Sequence, residues 1–125
     1  MTIEQLSQQN EKFQQRAAEI AELVPGSNLL EYSSILIRSS KKLDRILKNL
    51  LQANTEARFF QQVDAMEEEM DEIIWFLDQM DLENRKSKLG TINDFVKKGY
   101  ELLSIYSLSC DRIIERRTKK EDELE

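Results

Sequence analysis

The chain has 125 residues, a formal net charge of −6, 34% charged residues, one proline, three glycines, one cysteine and no histidine. That length suits one domain burying roughly two thirds of the surface its unfolded form exposes, and the scarcity of proline and glycine favours long solvated helices over a sheet. The absence of histidine excludes Ser-His-Asp and Cys-His nucleophiles, the usual zinc sites and the Glu-x-x-His di-iron site of helical bundles.

In chain order, the first predicted helix runs from Ile3 to about Leu23, with Ile3, Leu6, Phe13, Ala17, Ile20 and Val24 on one face. Thr2 and Gln5 are spaced as a capping box, and Pro25-Gly26-Ser27 ends the helix and turns the chain. The second runs from about Asn28 to Ala53: Leu29, Leu36, Leu43 and Leu50 stand a heptad apart, and Ile46, Leu47 and Leu51 widen the stripe. Asn54-Thr55 breaks it and offers a cap for a third helix over Glu56 to Met80. There Phe59, Val63, Met66, Met70, Ile73, Leu77 and Met80 alternate steps of four and three, which places them along one helix face.

The polar stretch Asp81 to Gly90 reads as a connection, and Thr91 to Asp94 as the reciprocal cap of a fourth helix ending near Thr118. Ile92, Val96, Gly99, Leu103, Tyr106, Cys110 and Ile113 form its stripe, and Lys119 to Glu125 reads as a charged, frayed tail. The expectation is an all-α protein: an antiparallel, up-down-up-down four-helix bundle over residues 1–118, about 35 to 40 Å long at ~1.5 Å per residue.

Charge is divided unevenly. The second helix carries Arg38, Lys41, Lys42, Arg45 and Lys48 against Glu31 and Asp44, whereas the third carries Asp64, Glu67, Glu68, Glu69, Asp71, Glu72 and Asp78 against Arg58. The basic residues read either as a stripe that tracks phosphates, each cation displacing a counterion from nucleic acid, or as a solvated face paired with acidic neighbours. Glu69-x-x-Glu72, beside Glu68, reads either as a solvated acidic face or as a pair able to hold Mg²⁺, similar to the Glu-x-x-Asp that helical nucleoside triphosphate pyrophosphohydrolases of the MazG-like kind carry before an apolar, aromatic run. Those enzymes also need a Glu-Glu-x-x-Glu on the preceding helix, where this chain offers only Glu31 and Asp44. Trp75 falls opposite the third-helix stripe, and Ile105 and Leu108 point away from the fourth-helix stripe, so the three are candidate subunit contacts. The alternatives are a bundle wide enough to bury them and ordinary exposed apolar residues. Cys110 lies on the core stripe and reads as packing.

Two stretches resemble the small bacterial 23S rRNA intervening-sequence proteins. One is Arg16-Ala-Ala-Glu-Ile-Ala-Glu-Leu-Val-Pro25 followed by Ile35-Leu36-Ile37-Arg38-Ser39-Ser40, similar to that family's first helix, proline turn and second-helix opening. The other is Glu68-Glu69-Met70-Asp71-Glu72-Ile73-Ile74-Trp75-Phe76-Leu77, similar to its acidic third helix, and Phe95-Val-Lys-Lys-Gly-Tyr-Glu-Leu-Leu103 looks like its last helix. The chain departs from the pattern at Lys41-Lys42-Leu43-Asp44-Arg45-Ile46-Leu47 and in the order Trp75-Phe76. The resemblance implies a homopentameric ring and kinship with the accessory variability proteins of diversity-generating retroelements, which bind a reverse transcriptase and nucleic acid.

The leading expectation is a non-enzymatic homo-oligomer acting as an accessory or scaffold for RNA or a reverse transcriptase, with no metal, cofactor or small-molecule substrate. Its alternatives are the Mg²⁺-dependent pyrophosphohydrolase using Glu68, Glu69 and Glu72, and a purely structural adaptor between proteins. No apolar run is long enough to span a bilayer, and Met1-Thr2-Ile3-Glu4-Gln5 has neither the basic start nor the apolar core of a signal peptide, so a cytoplasmic address is expected.

Overall fold

The computed structural model describes residues 2–23 and 28–124, with side chains described to residue 119. It is all-α: α1 (Ile3–Leu23), α2 (Leu29–Gln52), α3 (Glu56–Ser87) and α4 (Gly90–Leu124). The predicted turn at Pro25-Gly26-Ser27, and Val24, lie outside the described residues. Each helix packs against its sequence neighbour and α4 returns against α1, closing an antiparallel four-helix bundle. No helix among the described residues is long and apolar enough to cross a membrane.

Two of the predicted caps form. The Thr2 amide donates to Gln5 Oε1 at 2.8 Å while the Gln5 amide donates to Thr2 Oγ1 at 3.1 Å, and the Arg58 amide donates to Thr55 Oγ1 at 3.2 Å. Each bond gives a partner to an amide that the first helical turn leaves unpaired.

The predicted connection at Asp81 to Gly90 is helical as far as Ser87, so α3 has 32 residues and spans about 48 Å at ~1.5 Å per residue. Polarity marked a solvent-facing surface there, not a loop: no proline or glycine interrupts 81–87, and Asn84 stays 2% exposed, one turn beyond Met80. The turn itself is Lys88-Leu89, with Lys88 left-handed at φ 53°. Asn84 closes it. Its Oδ1 accepts the Leu89 amide at 3.0 Å, while Nδ2 donates to the Leu89 carbonyl at 3.0 Å and to Asn93 Oδ1 at 2.7 Å. The helix therefore starts at Gly90, and Thr91 is an internal residue rather than the expected cap.

At its far end α4 continues past Thr118 to Leu124 where a frayed tail was expected. No breaker interrupts those residues, and Arg117 anchors the approach to them. Its Nη1 donates to the Ala53 carbonyl at 2.9 Å, and the guanidinium lies 4.2 Å over the Phe59 ring.

The leucine heptad of α2 and the Phe59, Met66, Ile73, Leu77 and Met80 stripe are buried as predicted, with Val63 and Met70 half-buried at its edge. Phe95 and Leu102 join the core from α4, and Phe95 stacks on Phe13 with centroids 4.7 Å apart. Gly99 makes room here: a Cβ would stand 2.8 Å from Leu77 Cδ2 and 3.1 Å from Phe13 Cε2. Leu51, expected to widen the α2 stripe, is 48% exposed. Ser7 is bonded to Asp44, so the few residues of α1 before Ser7 reach only about the level of Lys48, and Leu51 lies beyond their cover.

Candidate nucleic-acid interface and subunit-contact surfaces

Of the five predicted phosphate-tracking cations, Arg38, Lys41 and Arg45 line the middle of the solvent face of α2, all exposed, with no ion pair among the described residues. Their three- and four-residue spacing stacks them on one side of the helix, opposite Leu36 and Leu43. The other two are also exposed but flank the strip and turn inward. Lys42 Nζ lies 3.3 Å from Glu69 Oε2 on α3, and Lys48 Nζ lies 3.0 Å from Asp44 Oδ2 within α2. The opposite charges of α2 and α3 thus meet within one chain at a single described pair.

That pair bears on the acidic trio. Glu69 is 5% exposed and turned to Lys42, whereas Glu68 and Glu72 face solvent. No group of three or more histidine, cysteine, aspartate or glutamate residues among the described residues is arranged to hold a metal ion.

Beneath the basic face lies a polar network that the sequence reading missed. Asn10 of α1, 1% exposed, donates through Nδ2 to the Ser40 carbonyl at 2.9 Å and to Tyr106 Oη at 2.8 Å. Tyr106 donates to Asp44 Oδ1 at 2.8 Å, which also accepts from Ser7 Oγ at 2.8 Å. Three helices are joined through one carboxylate. Partial burial pushes the Asp44 carboxyl up, but the bonds from Lys48, Ser7 and Tyr106 outweigh it and hold its pKa below the ordinary value. Burial, against the lowering effect of Asn10 and with the added effect of Asp44, raises the Tyr106 phenol far above its usual range. The network fixes the rotation of α2 against α1 and α4, and so the direction in which Arg38, Lys41 and Arg45 project. Its sequence signal was the gap at Asn10 between Leu6 and Phe13 in the α1 stripe.

The three candidate contact residues fall on different surfaces. Trp75 is 54% exposed on the side of α3 away from the core, its ring edge-on to Phe76 at 4.8 Å between centroids. Leu108 is 50% exposed on the outer face of α4. Ile105 departs from the expected outward position: it is half-buried against the core and lines a groove of about 370 Å³ between α1 and α4. Phe13, Leu102 and Ile105 provide the apolar part of that groove, and Lys12, Arg16 and Lys98 stand at its rim with Gln9 and Glu101. Sequence reasoning could not assemble it, since its halves lie far apart in the chain. Cys110 is buried, and burial, with the nearby Asp111 and Glu67 carboxylates, pushes its thiol pKa up, as suits a packing residue.

No protein-family model, curated protein or solved structure matches this chain.

Proposed function

We propose that the protein is a non-enzymatic, homo-oligomeric helical bundle, a pentamer by its resemblance to the 23S rRNA intervening-sequence family, that serves as a cytoplasmic accessory or scaffold for RNA. A reverse transcriptase is the protein partner that the same resemblance suggests. The observation that carries the nucleic-acid part is the strip of Arg38, Lys41 and Arg45, whose charges have no ion-pair partner among the described residues. An acidic protein with such a local strip binds a polyanion at that strip and repels it elsewhere, which favours a defined register over indiscriminate coating.

The test is fluorescence anisotropy with a labelled single-stranded RNA across a salt series. Contacts from three cations give a slope of log K against log salt near −2, at about −0.7 per phosphate contacted. Substituting Arg38, Lys41 and Arg45 by glutamine should remove most of that slope and the binding with it. Equal affinity in the triple variant would refute this assignment.

A further inference from the structure

We infer that copies of this chain join head to tail, the outward ridge of α3 on one copy seating in the α1/α4 groove of the next. This rests on the homo-oligomeric reading above and names its contact.

The ridge is apolar, flanked by acid around Trp75 and by Arg85 and Lys86 beyond Leu82. Trp75 and Leu82, 54% and 47% exposed, stand a heptad apart on the side of α3 turned away from the core, with exposed Glu68, Asp71 and Asp78 beside them. An exposed indole next to an aliphatic neighbour is the composition of an interface centre, where aromatic anchors dominate. The groove has the opposite character. Its apolar lining of Phe13, Leu102 and Ile105 is rimmed by Lys12, Arg16 and Lys98 against the single carboxylate of Glu101. It continues into a second hollow of about 220 Å³ that shares Arg16 and Lys98, and there Glu19 and Asp94 enter the lining, Asp94 bonded to Lys98 at 3.1 Å.

Charge and shape together favour ridge against groove. A ridge laid parallel on its own copy sets carboxylates against carboxylates, and the first hollow against its own copy sets ammonium and guanidinium groups against each other. Ridge against groove brings opposite signs together around an apolar centre, and a helix ridge entering the furrow between two helices is a favoured packing geometry. Such a contact is heterologous, so it builds a ring or an open chain rather than a two-fold dimer. The geometry allows both surfaces to be used at once, because α3 lies diagonally across the bundle from α1.

The experiment is a charge exchange read by native mass spectrometry. A groove variant carries Lys12→Glu and Arg16→Glu, and a ridge variant carries Glu68→Lys and Asp71→Lys; all four positions are exposed, and circular dichroism checks that helicity is kept. Each variant alone should fall to the single-chain mass. Mixed in equal amounts, they should associate again into species that contain both variants, because each reversed surface finds its complement on the other. Variants that assemble like the unsubstituted protein, or that stay apart when mixed, overturn the ridge-and-groove contact while leaving oligomer formation itself standing. An unsubstituted protein that runs as a monomer instead overturns the oligomeric reading, and this contact with it.

Discussion

Replacing Tyr106 by phenylalanine isolates the polar network from the packing around it. The ring is retained, and only the hydroxyl is lost, with the bond it donates to Asp44 and the bond it accepts from Asn10. Asp44 keeps Ser7 and Lys48 and is reached by solvent, so its loss is small. Asn10 is 1% exposed, so the N–H released there finds no water and carries most of the cost. A buried donor left unpaired costs about 1–3 kcal/mol, and with the weakened carboxylate contact the sum is about 2–3 kcal/mol. Urea denaturation followed by circular dichroism should show the midpoint falling by roughly 1 M, given a slope of ~2 kcal/mol per M, with the slope itself unchanged. The alkaline limb supplies a second reading. Because the folded Tyr106 pKa is raised, its contribution is complete below the unfolded value of about 10 and is lost as pH rises above it. The phenylalanine variant should therefore lose less stability above pH ~10 than the unsubstituted protein. A midpoint change worth under ~0.5 kcal/mol, or identical alkaline losses, would refute the view that this hydroxyl ties α1, α2 and α4 together.

The acid limb reports Asp44. Its folded pKa lies below the unfolded value of about 3.9, so its contribution is present above that value and disappears as pH falls through the folded pKa; Asp44→Asn should flatten the loss of stability below pH ~4 in acid titrations. Gly99→Ala and Gly90→Ala should differ in sign although both place alanine in α4. At Gly99 the new methyl meets buried Leu77 and Phe13, and overpacking of about 1–3 kcal/mol outweighs a helix gain of ~0.5–1 kcal/mol. At Gly90 nothing lies within 4 Å of the added carbon, so urea midpoints should be unchanged or slightly higher. Equal losses at the two positions would show that backbone preference, not packing, sets the outcome.

What the residues determined alone was whatever repeats locally. Four stretches with apolar steps of three and four, two Thr-based caps and the buried leucine heptad follow from helical geometry within a single segment, and they carried the fold class directly into the structure. Polarity alone does not mark a loop. Asp81 to Ser87 is polar because most of it faces water, and a helix stops for want of backbone compatibility, here at left-handed Lys88, rather than for want of apolar residues. The exposure of Arg38, Lys41, Arg45 and Trp75 was legible for the same reason as the core, as the reverse side of the same wheel. Tertiary structure alone decided what joins distant segments. That Asn10 meets Tyr106, that Lys42 rather than Arg45 finds Glu69, and that Lys12 and Arg16 come to share a groove with Lys98 and Ile105 depends on the rotation and register of one helix against another. Those are set by the summed packing of all four faces, and no single helix's periodicity contains them.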